Sequence, residues 1–274
     1  MTNAQVTREL SNGTAIPVVG LGVWQISDGA ECERAVTAAL EVGYRLIDTA
    51  QAYRNETSVG RAIRSSGVPR EEIFLTTKFY PGGKDARVEA EKSLERLGTE
   101  YLDLYLIHWP QGGPTWAWPG MEAAVEGNLT KGIGISNFGA DEVRELAKVA
   151  QIQPVVNQIQ FSPFEYRRGL VETCEDAGIV AQAYSPLGTG RHLDHPAIAK
   201  LAESTGRTPA QVLIRWAMQK GLSVIPKSVH QARIEENFNV FDFELDDDAM
   251  ASLDALDTTG STSDALSKSG KWWS

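Results

Sequence analysis

A chain of 274 residues with 42% hydrophobic and 23% charged residues can bury one large core as a single domain over residues 1–274. Its net charge of −10 argues against nucleic acid as a partner, because phosphate backbones demand clustered Lys and Arg. The N-terminal residues lack the basic-then-apolar design of a signal peptide, and no apolar run reaches the roughly 18 residues of a bilayer span. A soluble, cytoplasmic chain without a membrane partner is therefore expected.

The chain opens with Val6–Leu10, the turn Ser11-Asn12-Gly13 and Ala15–Val18, a β-hairpin by its Asn-Gly dipeptide. Short, nearly continuous apolar runs follow at Val19–Trp24, Arg45–Thr49, Ile73–Thr77, Leu102–Ile107, Gly132–Ser136, Val155–Ile159, Ile179–Tyr184 and Ser223–Pro226. These eight read as strands covered on both faces. Amphipathic segments alternate with them: Cys32–Val42, Asn55–Ile63, Ala86–Leu97, Ala140–Val149 and Arg167–Ala177. Thr208 then Pro209 read as N-cap and first residue of a helix running toward Gly221. Eight strand–helix repeats with right-handed crossovers predict an α/β fold, a (β/α)8 TIM barrel whose N-terminal hairpin plugs one end. An open doubly wound sheet is the rival, but no G-x-G-x-x-G follows the first strand. The two cysteines, Cys32 and Cys174, sit among aliphatic neighbours and read as buried filler. The closing Lys271-Trp272-Trp273 is expected to pack back onto the protein.

In such a barrel the chemistry sits at the C-terminal ends of the strands. Asp48, Lys78 and His108 end three successive strands, thirty residues apart. Each alone has an ordinary reading: a turn-capping carboxylate, a solvated amine, a hydrogen-bonded structural imidazole. Together on one rim they point to a site. Tyr53 follows Asp48 in the same loop. A phenol titrates near 10, and a buried Lys78 beside it is expected to lower that value. Asp48 would hold Lys78 charged, and His108 would orient a carbonyl by hydrogen bonding. The result is a proton donor with its tuning groups.

A hydride source is suggested by the segment from Ile225 to Asn237, where Lys227, Ser228 and Arg233 can converge on one phosphate beside a helix N-terminus. Glu236 and Asn237 are placed for an adenine amino edge, and His230 lies at the border. A solvated charged helix is the bland alternative. No metal is expected: of His108, His192, His195 and His230 only the first ends a strand, and His192 and His195 read as surface.

The motifs GYRLIDTAQAYRNE, LDLYLIHWP, GIGISNF, VVNQIQFSP, AYSPLG and IPKSVHQARIEEN resemble those of aldo-keto reductases, most of all the bacterial 2,5-diketo-D-gluconate reductases. The resemblance runs from near the N-terminus to about Asn237. It implies an NADPH-dependent oxidoreductase that reduces aldehydes, ketones, α-dicarbonyls or keto-sugars to alcohols, with NADH a weaker cofactor and a monomer as the working form. On this resemblance Asp48, Tyr53, Lys78 and His108 are the catalytic tetrad, with Tyr53 the general acid. Ser136, Asn137 and Gln158 would hold the carboxamide, Tyr184 would stack on the nicotinamide, and Ser185 and Leu187 would cover the pyrophosphate. Lys227, Ser228, Val229, Arg233, Glu236 and Asn237 match the 2′-phosphate and adenine contacts. Trp24, Tyr80 and Trp109 match the wall around the small-molecule carbonyl substrate. Tyr80 departs from the Trp common there. A non-catalytic nucleotide-binding protein and a metal-dependent hydrolase on the same barrel are the competing readings.

Overall fold

The computed structural model describes residues 6–82 and 84–259, so the expected packing of the terminal Trp pair lies outside the described residues. An N-terminal hairpin, β1 (Thr7–Glu9) and β2 (Ala15–Pro17), pairs antiparallel with Arg8 opposite Ile16. Its turn is longer than a two-residue primed turn. Leu10 N donates to Thr14 O, Asn12 Oδ1 accepts from the Thr14 backbone and hydroxyl, and Gly13 takes a left-handed φ of 80°.

Eight parallel strands follow: β3 (Leu21–Gly22), β4 (Leu46–Asp48), β5 (Phe74–Phe79), β6 (Leu104–Ile107), β7 (Ile133–Ser136), β8 (Val156–Gln160), β9 (Val180–Tyr184) and β10 (Ser223–Ile225). Each pairs with the next in sequence order. The first and last meet where Gly20 N donates to Val224 O (2.8 Å) and Val224 N to Val18 O (2.8 Å). This is the expected (β/α)8 barrel.

The predicted helices are present as α1 (Ala30–Val42), α2 (Glu56–Ser65), α3 (Ala86–Leu97), α5 (Ala140–Ala147), α6 (Arg168–Asp176) and α8 (Pro209–Gln219), and the short α9 (Gln231–Phe238) carries Arg233. Thr208 caps α8 as expected, its hydroxyl accepting from Gln211 N while the Gln211 side chain returns to Thr208 N. Three helices were not expected: α4 (Trp118–Glu126), α7 (Pro196–Thr205) and α10 (Asp247–Asp254). Helix α2 lies so close to α3 that a Cβ on Gly60 would stand 1.9 Å from Leu97 O, which restricts that position to glycine.

Two apolar volumes result. The larger lies between strands and helices and contains Cys32 and Cys174, both buried free thiols. The smaller fills the lower barrel interior, where Leu10 and Ile16 of the hairpin meet Leu46, Phe74, Leu104, Leu106, Val155, Val156 and Ile225. The hairpin is thus a plug, and it leaves the opposite end of the barrel to polar side chains.

Candidate active site

Asp48 ends β4 and Lys78 lies near the end of β5, both removed from solvent. The register places Asp48 opposite Thr76, so Lys78 reaches back one step along the same face. Its ammonium donates to Asp48 Oδ1 at 2.5 Å, to Thr49 O at 2.9 Å and to the Tyr53 hydroxyl at 3.4 Å. Three donors meet three acceptors, which is what a buried ammonium requires.

Tyr53 sits on a single 3-10 turn, Gln51–Tyr53, ended by Arg54 in a left-handed conformation (φ 59°). Two anchors that the sequence did not disclose hold this turn. Asn55 donates to Val23 O and Ile26 O and accepts from the Thr49 hydroxyl. Gln51 accepts from Tyr80 N and donates to the buried carboxylate of Glu89 on α3.

Burial pushes Asp48 up and Lys78 down, while their mutual contact opposes both shifts. Tyr53 departs from the sequence-based expectation. Burial first, and then the Asp48 charge, push its phenol well above the ordinary value near 10. Lys78 does not reverse this, because its shortest bond goes to Asp48 rather than to the phenol. Tyr53 is therefore a neutral hydroxyl, the form that can give up a proton. His108 is held well below the usual imidazole value by burial and by Lys78, so it too is neutral. Its ring stands edge-on to Tyr53 at 5.5 Å and to Tyr80 at 6.0 Å. Among the described residues His108 Nδ1 and Trp109 Nε1 are buried without a hydrogen-bond partner.

The expected carboxamide group adjoins this cluster. Asn137, left-handed at φ 64°, donates to His108 O and Ser136 Oγ and accepts from the Tyr184 hydroxyl at 2.8 Å. Ser136 donates to Gln158 O, and the Gln158 amide donates to Asp48 Oδ2 at 2.7 Å. Ser136, Asn137, Gln158 and Tyr184 therefore form one bonded rim with the tetrad. Ser185 follows with a left-handed backbone (φ 50°), and Leu187 packs partly buried on the core. Trp24 is half exposed beyond β3, and Tyr80 and Trp109 flank His108.

The remaining predicted residues form a separate group beyond β10. Ser228 is buried and accepts from His230 N, and Val229 packs on the core. Lys227 and Arg233 are exposed, Arg233 in the first turn of α9, and neither makes an ion pair among the described residues. Glu236 accepts from the Thr208 hydroxyl, which ties α9 to α8, and Asn237 is buried. His192 stacks on Phe164 at 4.0 Å and His195 caps α7. Among the described residues no three His, Cys, Asp or Glu are grouped to hold a metal ion.

Comparison with known proteins bears on this geometry. The profile of the aldo/keto reductase family matches residues 18–258. The chain is 48% identical over 257 residues to an aldo-keto reductase of Mycolicibacterium smegmatis, covering 92% of this chain and 90% of that one. It is 44% identical over 255 residues to the 9,11-endoperoxide prostaglandin H2 reductase of Trypanosoma cruzi, covering 90% of each. The crystal structure of an aldo/keto reductase from Brucella melitensis superposes with a TM-score of 0.89 at 40% identity, covering 93% of this chain and all of that one. A barrel whose strand ends carry this rim, matched over most of its length in sequence and in space, places the chain in the aldo/keto reductase family of carbonyl-reducing oxidoreductases.

Proposed function

We propose that the chain is an NADPH-dependent carbonyl reductase with Tyr53 as its general acid. The observation that carries the reading is the Tyr53 hydroxyl, bonded to Lys78 at 3.4 Å and set edge-on to His108 inside an aromatic mouth, where burial favours the neutral form of both. The polar residues fit a nicotinamide dinucleotide. Gln158, Asn137 and Ser136 would hold its carboxamide, and Tyr184 its ring. The exposed cations Lys227 and Arg233, without an ion pair among the described residues, would take a 2′-phosphate together with Ser228. Bound there, such a cofactor would supply the hydride that the carbonyl carbon needs and would itself be oxidised to NADP+.

The chain's own groups then manage the oxygen. His108 donates a hydrogen bond that orients the carbonyl. Tyr53 passes its proton to the oxygen as negative charge builds there, so the carbonyl becomes an alcohol. An alkoxide is a far stronger base than a phenolate, and a raised tyrosine value does not prevent the transfer. Lys78, fixed by Asp48, faces the phenolate that remains.

The test is oxidation of NADPH, then NADH, against aldehydes, α-dicarbonyls and 2,5-diketo-gluconate. Turnover is expected, with Tyr53→Phe lowering kcat by about 10²–10⁴-fold. An unchanged kcat in that variant removes Tyr53 from its role, and binding without turnover leaves a dinucleotide-binding protein. One charge-assisted bond contributes about 1.5–3 kcal/mol, so NADPH should bind roughly 10–100-fold more tightly than NADH. Arg233→Ala should erase most of that preference while leaving the NADH affinity in place, as fluorescence titration would show.

A further inference from the structure

The hydrogen bonds that leave Asp48 do not stop at Gln158. The Gln158 amide nitrogen donates to Asp48 Oδ2 (2.7 Å) and also to Gln182 Oε1 (2.8 Å). The Gln182 amide nitrogen donates to Ser223 Oγ (3.2 Å), and Ser223 donates to Pro17 O (2.9 Å). Gln158, Gln182 and Ser223 are direct partners across β8, β9 and β10, so their side chains line one row of the barrel interior. All three are buried, Gln182 and Ser223 completely. Pro17 ends the plug hairpin, and the row therefore joins the plug to the catalytic aspartate.

The polarity of this row is fixed at both ends. An ionised Asp48 only accepts, so Gln158 must turn its NH2 toward it. The Pro17 carbonyl also only accepts, so the Ser223 proton points there and Ser223 Oγ must accept from the NH2 of Gln182. That leaves Gln182 Oε1 for the second hydrogen of Gln158. The two ends demand the same arrangement, and no amide in the row can flip without leaving a buried donor unpaired. Both Gln158 hydrogens are spent inside the protein, and Oε1 is the only group Gln158 can offer a ligand.

We propose that Gln182 is a positioning residue for the reductase site, which locks Gln158 so that it braces Asp48 and presents a carbonyl oxygen toward the cofactor. Gln182 touches neither Asp48 nor Tyr53 by hydrogen bond and acts through Gln158. The cofactor half of this inference rests on the proposed reductase reading, whereas the bracing of Asp48 does not.

The closing experiment has a ligand-free arm and a binding arm. In the first, Gln182→Met, Asp48→Asn and the double variant are unfolded in denaturant. Residues that act on one shared amide should be non-additive, with a coupling of about fivefold or more in the unfolding constant. Additive losses overturn the proposal. In the second, NADPH affinity is read by fluorescence and kcat with KM by steady state. Gln182→Met should weaken NADPH by about tenfold and lower kcat to a similar degree, with the carbonyl KM changed less than about twofold. Ser223→Ala, which keeps both amides and cuts only the link to the plug, should show a smaller effect of the same sign and covers the case in which Gln182→Met does not fold. Wild-type NADPH affinity in both variants overturns the cofactor half. A wild-type protein that binds no dinucleotide defeats the reductase reading instead, and the ligand-free arm still decides the bracing of Asp48.

Discussion

The lower and upper halves of the barrel interior are made by the same strands and differ in almost every physical respect. On β4 Leu46 belongs to the plugged apolar cluster, and two residues later Asp48 belongs to the site. Strand β6 steps from Leu104 and Leu106 to His108, and β8 steps from Val156 to Gln158. Side chains two apart share a face, so each strand changes task within one repeat of its pleat. The backbone changes with it. Of seven non-glycine residues with left-handed φ among the described residues, six (Gln25, Arg54, Asn137, Arg167, Ser185 and Thr189) lie in loops that leave the C-terminal strand ends. Only Asn128 lies in a loop at the opposite end. The plugged half holds the barrel together, and the open half carries the buried charge and backbone strain that chemistry needs.

The sharpest way to break this contrast is to put an apolar group into the upper half. Lys78→Met leaves the Asp48 carboxylate buried and unpaired, and denaturant unfolding should register a loss of about 3–5 kcal/mol. Adding Asp48→Asn removes the stranded charge and should restore much of that stability without restoring turnover. If the double variant is no more stable than Lys78→Met, the ion pair is not what organises the rim. The converse experiment is Leu46→Ala in the lower half. Leu46 is fully buried, and its loss should cost about 2–5 kcal/mol while kcat of the folded protein stays within about twofold. A large fall in kcat would mean that the halves are mechanically joined.

The sequence made the barrel legible because strands buried on both faces are continuous apolar runs, and it made the cluster of Asp48, Lys78 and His108 legible because these polar residues end or follow such runs. The same signal was available at Gln182, a lone amide inside Val180–Tyr184, but its meaning depends on Gln158 and Ser223 standing beside it on neighbouring strands. Gln51 and Glu89 meet across 38 residues, a pairing that no local pattern announces. Helix α4 was hidden by Trp118-Pro119-Gly120, which reads as a loop although Pro suits a first helical turn and Gly120 lets α3 approach: a Cβ there would stand 3.1 Å from Ala86. Helices α7 and α10 break the rule of one helix per crossover, the first by sharing a crossover with α8 and the second by following the last strand. The direction of the Tyr53 shift was also out of reach, because it turns on burial, which spacing alone does not measure.

The smallest expected effect concerns His108, and it separates the halves by pH rather than by packing. In the unfolded chain its imidazole titrates near 6.5, whereas in the fold burial and Lys78 hold it well below that value. Between the two values the unfolded chain binds the extra proton, so stability rises with pH across this window. The contribution is fully present above about pH 6.5 and is lost as pH falls through the folded value. His108→Gln removes the titration and keeps a neutral hydrogen-bonding side chain. Denaturation midpoints measured from about pH 8 down to about pH 5 should therefore show wild type losing stability faster than His108→Gln below about pH 6.5, with a constant difference above it. A difference that stays constant over the whole range would mean that the folded imidazole charges freely, and His108 could not then be the neutral donor that the proposed mechanism assigns to it. Leu46→Ala, which carries no titrating group, should track wild type in parallel throughout, so any divergence belongs to the polar half of the barrel alone.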